Sequence, residues 1–515
     1  MDILLAIVPR IQDDFGYTPA GTALLKGSLE KHGFSSQIFD FNVDLESSYQ
    51  GKDLVGISNF FMVHDAYNER ICNLSMSLID KWAQQIVAVN PKWLGISVFS
   101  YNSHRATRLL SIRVKQLQPN IKIVMGGAGI QTDFTFAETL HSQKIIDFYI
   151  RGEGEIALIE LLQSNTTYPG INGIPSIQIN DIDQIPYPNY DDYELATYTN
   201  RRGLIALPIT GSRGCVRSCT FCDIASQWPK YRFRSGSNIA GEIKHQVAKY
   251  GVNAFRFTDS LINGSLKAFR DMIDELAEYR DTLAVDKKFL WDSHFIVRGP
   301  KEMPPACFDV MARAGANLFL IGVESGSQRV RDHMKKGFTQ EQLDYCMEQF
   351  ARVGIKVRFL MIIGYPTETQ EDFQDTIDMF TRYQHYTQLG TIDEVNLGLT
   401  LNLLNNTPLH NDREKYNVIQ EGNHINNWIC TDNPTLDFKE RLRRRIFLQE
   451  HVESIGYKTF ESKNYTRQLV SAWSEVSKLP PPIILDGQVV YDRDRGGLLQ
   501  QPAATDTHKI MLVQK

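Results

Sequence analysis

The sequence predicts an α/β protein in which a Rossmann-like domain, residues 1–160, precedes a partial (β/α)6 barrel, residues 204–410. In both regions short apolar runs alternate with amphipathic stretches, the pattern of parallel strands joined by helices. The 515 residues are 42% hydrophobic and 22% charged, which is ordinary for a globular chain of several domains. The 55 basic and 60 acidic residues give a net charge of −5, so no overall basic field favours a nucleic-acid partner.

The strands predicted in the first domain are "ILLAIV", "SSQIFDF", "WLGISVFS", "IKIVMGG" and "IIDFYI". Helices are expected over 20–32, where apolar residues share one face, and over about 103–117. Residues 45–90 fit the alternation less well and are interpreted as an insertion. Residues 161–203 are rich in Pro, Asn, Asp and Tyr, which is typical of a linker between domains.

The strands predicted in the barrel are "LIALPIT", "NAFRFTD", "KFLWDSHFIV", "NLFLIGVE", "KVRFLMIIG" and "EVNLGLT". Helices are expected at about 238–250, 265–282, 303–314, 339–353 and 369–384. The fourth opens with "TQEQ", a capping-box signature. Chemistry in such a barrel is expected at the C-terminal ends of its strands.

A small, mostly helical region, residues 411–515, is expected to close the chain. One helix is predicted over about 437–454, and its basic run "KERLRRR" is interpreted as a solvated face rather than a nucleic-acid site. The tail after "LPPP" is expected to be loosely ordered.

The compartment is inferred from the N-terminus and the cysteines. "MDILLAIVPR" contains Asp2 and lacks a basic segment, so it is interpreted as a strand rather than a signal peptide. No apolar run approaches the roughly 20 residues that a membrane span needs. The cysteine count is seven, an odd number, and four cysteines are scattered, at 72, 307, 346 and 430. We therefore expect a cytoplasmic protein whose clustered cysteines bind metal rather than form disulfides.

Three cysteines lie close together, in the pattern Cys215-x3-Cys219-x2-Cys222, directly after the first barrel strand. Thiolates are soft ligands that suit iron–sulfur clusters and zinc. A structural zinc site usually has four ligands, and no histidine occurs between residues 142 and 244. Three thiolates on a four-iron cluster would leave one iron open to a small molecule. The alternatives are a zinc knuckle with a remote fourth ligand and a fortuitous grouping.

The cysteine pattern resembles CxxxCxΦC, the signature of the radical S-adenosylmethionine (SAM) superfamily, with Phe221 as the aromatic residue Φ. The resemblance implies a [4Fe–4S] cluster whose free iron binds the amino and carboxylate groups of SAM. In that family the reduced cluster cleaves SAM to methionine and a 5′-deoxyadenosyl radical, which removes hydrogen from an unactivated carbon.

Further motifs follow the later barrel strands, and the same resemblance implies their SAM contacts. Asp259 and Ser260 in "RFTDSLINGS" stand where the family contacts the SAM amino group, although the usual glycine-rich version is absent. Glu324 and Ser325 in "IGVESGSQRV" are candidates for the ribose hydroxyls. Gly364 in "FLMIIGYPTET" is expected to let the adenine approach the backbone closely.

Other polar and aromatic residues have both a functional and a structural interpretation. Arg298, after "HFIV", is a candidate partner of the SAM carboxylate or a structural arginine. Arg232 and Arg234 in "YRFRS" are candidates for binding a phosphate or carboxylate, or are surface charges. Tyr365 and Trp428 belong either to a substrate pocket or to the core.

A second resemblance lies in the first domain. The tripeptide "SVF" at 97–99 and the later pair Gly126-Gly127 resemble the SxL…GG pattern of cobalamin-binding Rossmann-like domains. The resemblance implies that Ser97 hydrogen-bonds the dimethylbenzimidazole tail of cobalamin and that the two glycines leave room for it. "RGEGE" at 151–155 is similar to the end of this domain in cobalamin-dependent radical SAM enzymes.

One part of the cobalamin-binding pattern is missing. The DxHxxG motif, whose histidine replaces the lower axial ligand, is absent, and "VPRIQDDFGYTP" occupies its place. Radical SAM members commonly lack that histidine, so cobalamin remains a candidate cofactor. The alternative is a flavodoxin-like domain that binds nothing or binds substrate. His104 is interpreted as a polar residue at a helix start in preference to an axial ligand.

Together the resemblances imply a cobalamin-dependent radical SAM enzyme that methylates an unactivated carbon of a small molecule or peptide. Ring formation, rearrangement and radical SAM chemistry without cobalamin are alternatives, and so is a non-catalytic iron–sulfur or cobalamin-binding protein. The expected redox partner is an electron donor such as flavodoxin or ferredoxin. Fold-level analogy does not identify the substrate.

Overall fold

The computed structural model resolves the chain into two compact units, Met1–Pro208 and Ile209–Lys515. The residues that it describes are 1–9, 18–62, 68–132, 134–199, 203–398, 400–420, 425–426, 428–460, 483–485 and 488–490. The segment 10–17, which contains most of "VPRIQDDFGYTP", and most of the tail after "LPPP" lie outside the described residues.

The first unit is an α/β sandwich around a five-stranded sheet. Its strands are β1 (Ile3–Ile7), β2 (Ser36–Asp40), β3 (Trp93–Ser97), β4 (Lys122–Gly126) and β5 (Phe148–Tyr149). Its helices are α1 (Ala20–Lys31), α2 (Phe41–Ser48), α3 (Gly51–Met62), α4 (Glu69–Val89), α5 (His104–Leu117), α6 (Ala128–Thr132), α7 (Phe134–Ser142) and α8 (Gly154–Leu162). Short 3-10 turns lie at Tyr101–Ser103, Ile182–Gln184 and Leu195–Thr197.

All pairings in this sheet are parallel, in the order β2-β1-β3-β4-β5. This is the flavodoxin-like order, in which the chain reverses its direction of winding between β1 and β3. Ligands of such sheets bind at the carboxyl ends of the strands beside that reversal. The topology therefore predicts a site at the ends of β1, β3 and β4.

The segment 45–90, interpreted from the sequence as an insertion, forms the end of α2 and the helices α3 and α4, and it contributes to the core of this unit. Trp82 of α4 is fully buried, and its ring stacks on Phe41 at a centroid distance of 4.9 Å. The Trp82 indole N–H donates to the carboxylate of Asp44 (2.7 Å), which satisfies the one polar atom of that side chain.

Strand β6 (Ala206–Ile209) crosses the boundary between the units. The strands after it are β7 (Ser212–Arg213), β8 (Arg232–Phe233), β9 (Ala254–Phe257), β10 (Leu290–His294), β11 (Ala316–Glu324), β12 (Lys356–Met361), β13 (Ile392–Asn396), β14 (Val418–Gln420), β15 (Trp428–Cys430), β16 (Ile483–Leu485) and β17 (Gln488–Val490). The helices of the second unit are α9 (Ile224–Gln227), α10 (Gly236–Tyr250), α11 (Leu266–Thr282), α12 (Pro305–Arg313), α13 (Gln328–His333), α14 (Gln340–Val353), α15 (Gln370–Gln388), α16 (Pro408–Asn411) and α17 (Phe438–Ser454). Two 3-10 turns lie at Val285–Lys287 and Arg413–Tyr416.

Six strands form the barrel sheet, in the order β13-β12-β11-β10-β9-β6, and the predicted α/β fold class is confirmed. The outer face of this sheet is aromatic: Trp291 and Phe319 pack edge to face at 5.5 Å, and Phe319 contacts Phe350 of α14. The capping box predicted for α14 is also confirmed, because the Thr339 hydroxyl accepts the Gln342 N–H (3.3 Å) and the Gln342 side chain accepts the Thr339 N–H (2.9 Å).

The interpretation of "KERLRRR" as a solvated face is wrong. Arg441 and Arg445 of α17 are fully buried and Arg444 is 5% exposed, whereas the side chain of Arg443 faces solvent. The buried guanidinium groups are satisfied by acceptors on other segments; Arg445, for example, donates to the carbonyl of Gly398 (2.5 Å). Buried charges need such partners, and a local charge pattern does not reveal them.

Within the described ranges no helix combines the length and the apolar content needed to cross a membrane.

Candidate functional site

The three cysteines lie in the loop that follows β6, and the base of this loop is held in place on two sides. Strands β7 and β8, which flank the loop, pair antiparallel. The N–H of Gly211 donates to the carboxylate of Asp259 (2.9 Å) at the end of β9. Gly214 has a φ of +91°, and a Cβ there would lie 3.1 Å from the carbonyl oxygen of Lys230. A glycine is therefore required where the loop turns.

Thr220, between the second and third cysteines, fixes the middle of the loop. Its N–H donates to the carbonyl of Met334 (3.1 Å), and its own carbonyl accepts from Leu409 (2.8 Å). Its hydroxyl is hydrogen-bonded to the hydroxyl of Tyr365 (2.9 Å). Three distant segments thus hold the cysteine loop in one conformation.

The three thiols are half-buried and lie close enough to influence one another electrostatically. Burial raises the pKa of Cys222 to about 11, and it also raises that of Cys219. The backbone N–H of Arg217 donates to the sulfur of Cys215 (3.3 Å). In the described part of the chain no three Cys, His, Asp or Glu side chains converge on a point that could hold one metal ion. Three separated thiols fit the irons of a cluster.

Glu324 lies beside this loop in an unusual backbone conformation. It is the last residue of β11, where the register with β12 shifts, and its φ is +67°. Its side chain is almost buried and accepts from the ammonium of Lys336 (2.9 Å). A left-handed non-glycine residue is strained, and such strain concentrates at functional sites. The carboxylate lies over Gly322 of the same strand, next to the Lys336 ammonium.

Lys336 was not predicted from the sequence. Its ammonium lies 5.7 Å from the centroid of the Phe221 ring, next to the cysteines. Burial alone would lower the pKa of Lys336, but the negative charge of Glu324 is the main influence that outweighs burial and raises it. A buried cation beside the predicted cluster fits the carboxylate of SAM. The only sequence signal is the double lysine after "RDHM", which is indistinguishable from a solvated pair.

The two residues predicted to contact the SAM amino group face different ways. Asp259 is 2% exposed, and burial raises its pKa to about 7. Its carboxylate already accepts the Gly211 N–H, so in this structure it supports the cysteine loop. Ser260 and Thr258 are exposed at the end of β9, and the Thr258 hydroxyl is hydrogen-bonded to that of Thr210 (3.0 Å). At the end of β9 the exposed side chains that carry polar atoms are therefore those of Thr258 and Ser260, not that of Asp259.

Ser325 and Arg298 are engaged by other parts of the protein. Ser325 is 1% exposed, and its hydroxyl accepts the N–H of Ser327 (3.1 Å) at the start of α13. Arg298 donates to the carboxylate of Glu302 (2.6 Å) and to the carbonyl of Asn263 (3.3 Å). The Ser325 hydroxyl is thus engaged within the protein, and the structural interpretation of Arg298 has direct contacts in its favour.

Gly364 follows β12 with a φ of +82°. A Cβ at this position would lie 2.4 Å from two carbons of the Arg441 side chain, so the protein itself fills the space behind the glycine. Tyr365 is fully buried and Trp428 is 3% exposed, and both belong to one hydrophobic cluster. For these two residues the structure favours the core over a substrate pocket.

Arg232 and Arg234 are not exposed surface charges, since each is 6% exposed. Arg234 forms an ion pair with Glu242 of α10 and also donates to the side chain of Asn238 (2.6 Å). The Arg232 guanidinium lies 5.5 Å from the ring centroid of Trp228. Both residues brace the segment that follows the cysteine loop.

In the first unit the three residues predicted to contact cobalamin line one cavity of about 150 Å³. Ser97 ends β3, Gly126 ends β4, and Gly127 follows it. The opposite wall is formed by α1 and α8, through residues that include Gly21 and Leu158. A cavity of roughly this volume admits one benzene-sized ring. The site lies where the strand order reverses, so the residues present fit the insertion of a planar aromatic tail.

The two glycines of this cavity have different roles. A Cβ on Gly126 would meet nothing closer than 3.5 Å, whereas a Cβ on Gly127 would lie 2.6 Å from the carbonyl oxygen of Val98, with φ at +110°. Gly127 is thus required by backbone packing as well as by any ligand. His104, at the start of α5, stacks on Phe136 at 3.8 Å and is part of the packing between helices.

Two family models match the chain. The radical SAM superfamily model matches residues 209–380, and the B12 binding domain model matches residues 14–162. The first match contains the cysteine loop and the ends of β9, β11 and β12, and the second contains the glycine-lined cavity.

Curated relatives give the same picture at low identity. An uncharacterized methyltransferase of Pyrococcus horikoshii is 26% identical over 311 residues, covering 57% of this chain and 65% of the relative. An anaerobic magnesium-protoporphyrin IX monomethyl ester cyclase of Rubrivivax gelatinosus is 26% identical over 325 residues, covering 58% of this chain and 56% of the relative. The chain thus spans less than two thirds of either relative.

A solved structure shares the fold. The radical SAM methyltransferase TsrM from Kitasatospora setae, solved with cobalamin and a [4Fe–4S] cluster bound, superposes with a TM-score of 0.62 at 14% identity. The superposition covers 93% of this chain and 98% of that one.

The fold and the cysteine loop define an iron–sulfur protein with a flavodoxin-like domain ahead of a partial barrel. Residues 209–380 match the radical SAM superfamily and residues 14–162 match the B12 binding domain, so the chain carries a domain of each kind. Its cofactors are accordingly a [4Fe–4S] cluster, S-adenosylmethionine and cobalamin. Cys215, Cys219 and Cys222 fit the cluster by donor type and spacing, and the cavity at Ser97 fits cobalamin.

We expect Gly127→Ala to lower the free energy of unfolding by about 2–4 kcal/mol, because the added methyl group meets Val98 and the backbone stays left-handed. Gly126→Ala should change it by less than about 1 kcal/mol. Urea unfolding of the full chain, followed by circular dichroism, measures both. Equal losses in the two variants would contradict the packing argument.

Proposed function

We propose that the protein is a cobalamin-dependent radical SAM enzyme that methylates an unactivated carbon. The observation that carries this proposal is the buried Glu324–Lys336 pair beside three thiols on a fixed loop. A carboxylate and an ammonium at this position offer partners for the ribose and the carboxylate of SAM. When bound, the cluster and SAM supply a radical that removes hydrogen, and cobalamin supplies the methyl group.

The protein's own residues bind and orient the cofactors in this proposal. Cys215, Cys219 and Cys222 hold three irons and leave the fourth open to SAM. Glu324 accepts from ribose hydroxyls and Lys336 donates to the carboxylate, while Ser260 faces the SAM amino group. Phe221 and Gly364 complete the SAM surface, and Ser97 donates to the tail of cobalamin. Since Asp259, Ser325 and Arg298 are engaged elsewhere in the structure, we assign them to supporting roles around SAM.

Methylation is favoured because one curated relative and the solved neighbour are both described as methyltransferases. A second candidate, ring formation, has a specific observation in its favour, since another relative is described as a cyclase. We propose a small molecule or peptide as substrate, an electron donor such as flavodoxin or ferredoxin as redox partner, and the cytoplasm as location. Reducing conditions there would keep the seven unpaired cysteines as thiols.

The first test concerns the cluster. Anaerobically reconstituted wild type should bind about four irons per chain and, with SAM and a reductant, release 5′-deoxyadenosine. Cys219→Ala should lose both properties because a cluster with two thiolates is not retained. Cys72→Ala, which changes a half-buried cysteine outside the loop, should keep both. Wild type that releases no 5′-deoxyadenosine would contradict the radical SAM activity.

A methyl-labelled SAM separates the two candidate reactions. Methylation predicts that the label appears in the cobalamin fraction after incubation, detected by mass spectrometry. A ring-forming enzyme would release 5′-deoxyadenosine while the label stays in SAM and methionine.

Lys336→Met should weaken SAM binding about tenfold or more, because it removes a charged donor and leaves Glu324 buried without its partner. Lys335→Met changes the adjacent, exposed lysine and should leave the affinity unchanged. Isothermal titration of SAM into the oxidised, cluster-loaded protein measures both. Equal affinities in the two variants would remove Lys336 from the site.

Gly21→Phe should abolish cobalamin binding while changing the free energy of unfolding by less than about 1 kcal/mol. Gly21 lines the cavity, and a Cβ there would meet no atom within 4 Å, so the ring can enter the cavity without strain. Leu24→Phe, on the same helix but off the cavity wall, is the control. Hydroxocobalamin titration followed by visible absorbance gives the readout, and unimpaired binding in Gly21→Phe would place cobalamin elsewhere.

A further inference from the structure

The loop that follows β12, residues 362–369, joins the candidate SAM site to the C-terminal helix. On one side it contacts the site directly: the N–H of Ile362 donates to the carbonyl of Glu324 (2.9 Å). The hydroxyl of Tyr365 is hydrogen-bonded to that of Thr220 inside the cysteine loop (2.9 Å). We call residues 362–369 the adenine loop, after the contact predicted at Gly364.

On its other side the adenine loop is held by Arg444 of α17. The guanidinium donates to the carboxylate of Glu368 (2.9 Å) and to the carbonyl of Thr369 (3.0 Å). It also reaches the side chain of Gln370 (3.3 Å). The side chains of Arg444 and Glu368 are only 6% and 2% exposed, so solvent screens this ion pair weakly.

Glu368 transmits this contact to the glycine of the loop. Its second carboxylate oxygen accepts the N–H of Gly364 (3.3 Å), and its own N–H donates to the carbonyl of Tyr365 (2.8 Å). The carboxylate therefore closes the turn, and Arg444 holds the carboxylate. Removing the cation would leave a buried charge uncompensated and the turn without its anchor.

Arg441, one helical turn earlier on α17, supports the same loop from behind. Its side chain occupies the space where a Cβ of Gly364 would lie. Its guanidinium donates to the carbonyls of Leu436 (2.9 Å), Trp428 (3.1 Å) and Asn426 (2.8 Å). The three hydrogen bonds hold the Arg441 side chain in place, and its packing contact fixes the distance between Gly364 and α17.

We propose that Arg444 is a positioning residue for SAM: through Glu368 the C-terminal helix sets the conformation of the adenine loop and hence the affinity for SAM. The proposal rests on the proposed function, because it takes the adenine loop as part of the SAM site. It assigns the helix that follows the radical SAM domain, Phe438–Ser454, to the binding of the cofactor.

The test compares Arg444→Gln with Arg443→Gln in the full chain, reconstituted with its cluster. Arg443 neighbours Arg444 on the same helix, but its side chain is 44% exposed. Among the described residues it pairs with Glu440, which also accepts from Arg444 (2.9 Å). Isothermal titration of SAM should show an affinity about tenfold or more lower for Arg444→Gln and unchanged for Arg443→Gln. Iron content and hydroxocobalamin binding should stay at wild-type levels, and the change that SAM causes in the paramagnetic resonance spectrum of the reduced cluster should diminish.

Two further variants keep the proposal testable if Arg444→Gln folds poorly. Arg444→Lys keeps the positive charge but loses the guanidinium group, whose separate N–H donors reach several acceptors. Its SAM affinity should therefore fall between those of wild type and Arg444→Gln. Glu368→Gln should weaken SAM binding as Arg444→Gln does, and the double variant should be no weaker than the worse single one, because the two residues act as a pair. Wild-type SAM affinity in folded Arg444→Gln, or a loss that only parallels lost iron, would overturn the proposal. Wild type that fails to bind SAM would instead refute the proposed function.

Discussion

Parallel strands bring all their carboxyl ends to one edge of a sheet, and both units of this protein depend on that constraint. In the barrel it makes neighbours of a cysteine loop, the carboxylate of Glu324 and Gly364, which are far apart in sequence. In the first unit it gathers Ser97, Gly126 and Gly127 around one cavity. Connecting helices return the chain to the opposite edge each time, so every strand contributes its next loop to the same region.

Glycine occurs at these strand ends for two different physical reasons. From sequence, each was interpreted as leaving room for a ligand. In the structure, Gly127 is packed on a backbone carbonyl of its neighbouring strand and Gly364 on an arginine of α17. Gly126 retains the simple explanation, because a Cβ there would meet nothing closer than 3.5 Å. At Gly127 and Gly364, close packing within the protein therefore requires glycine beside the candidate cofactor sites.

The strands were predictable because buried parallel strands are continuous apolar runs, and the cysteines because their spacing is specific. Lys336 was not predictable, since only the turn after α13 brings it back to Glu324. The buried arginines of α17 were misjudged because the groups that satisfy them, such as the Glu368 carboxylate and the Gly398 carbonyl, come from remote segments. The orientation of the Asp259 carboxylate was not predictable either, because the backbone N–H of Gly211 holds it and no sequence pattern reveals that hydrogen bond.

The hydrogen bonds of Thr220 have a consequence for the order of events during synthesis. The partners of this residue lie at Met334, Tyr365 and Leu409, all of them later in the chain. At about 5–20 residues per second, a ribosome needs on the order of 10–40 s to make the roughly 190 residues that separate Thr220 from Leu409. The three thiols are therefore synthesised well before the residues that hold their loop, so the loop takes its final shape only after Leu409 has been made.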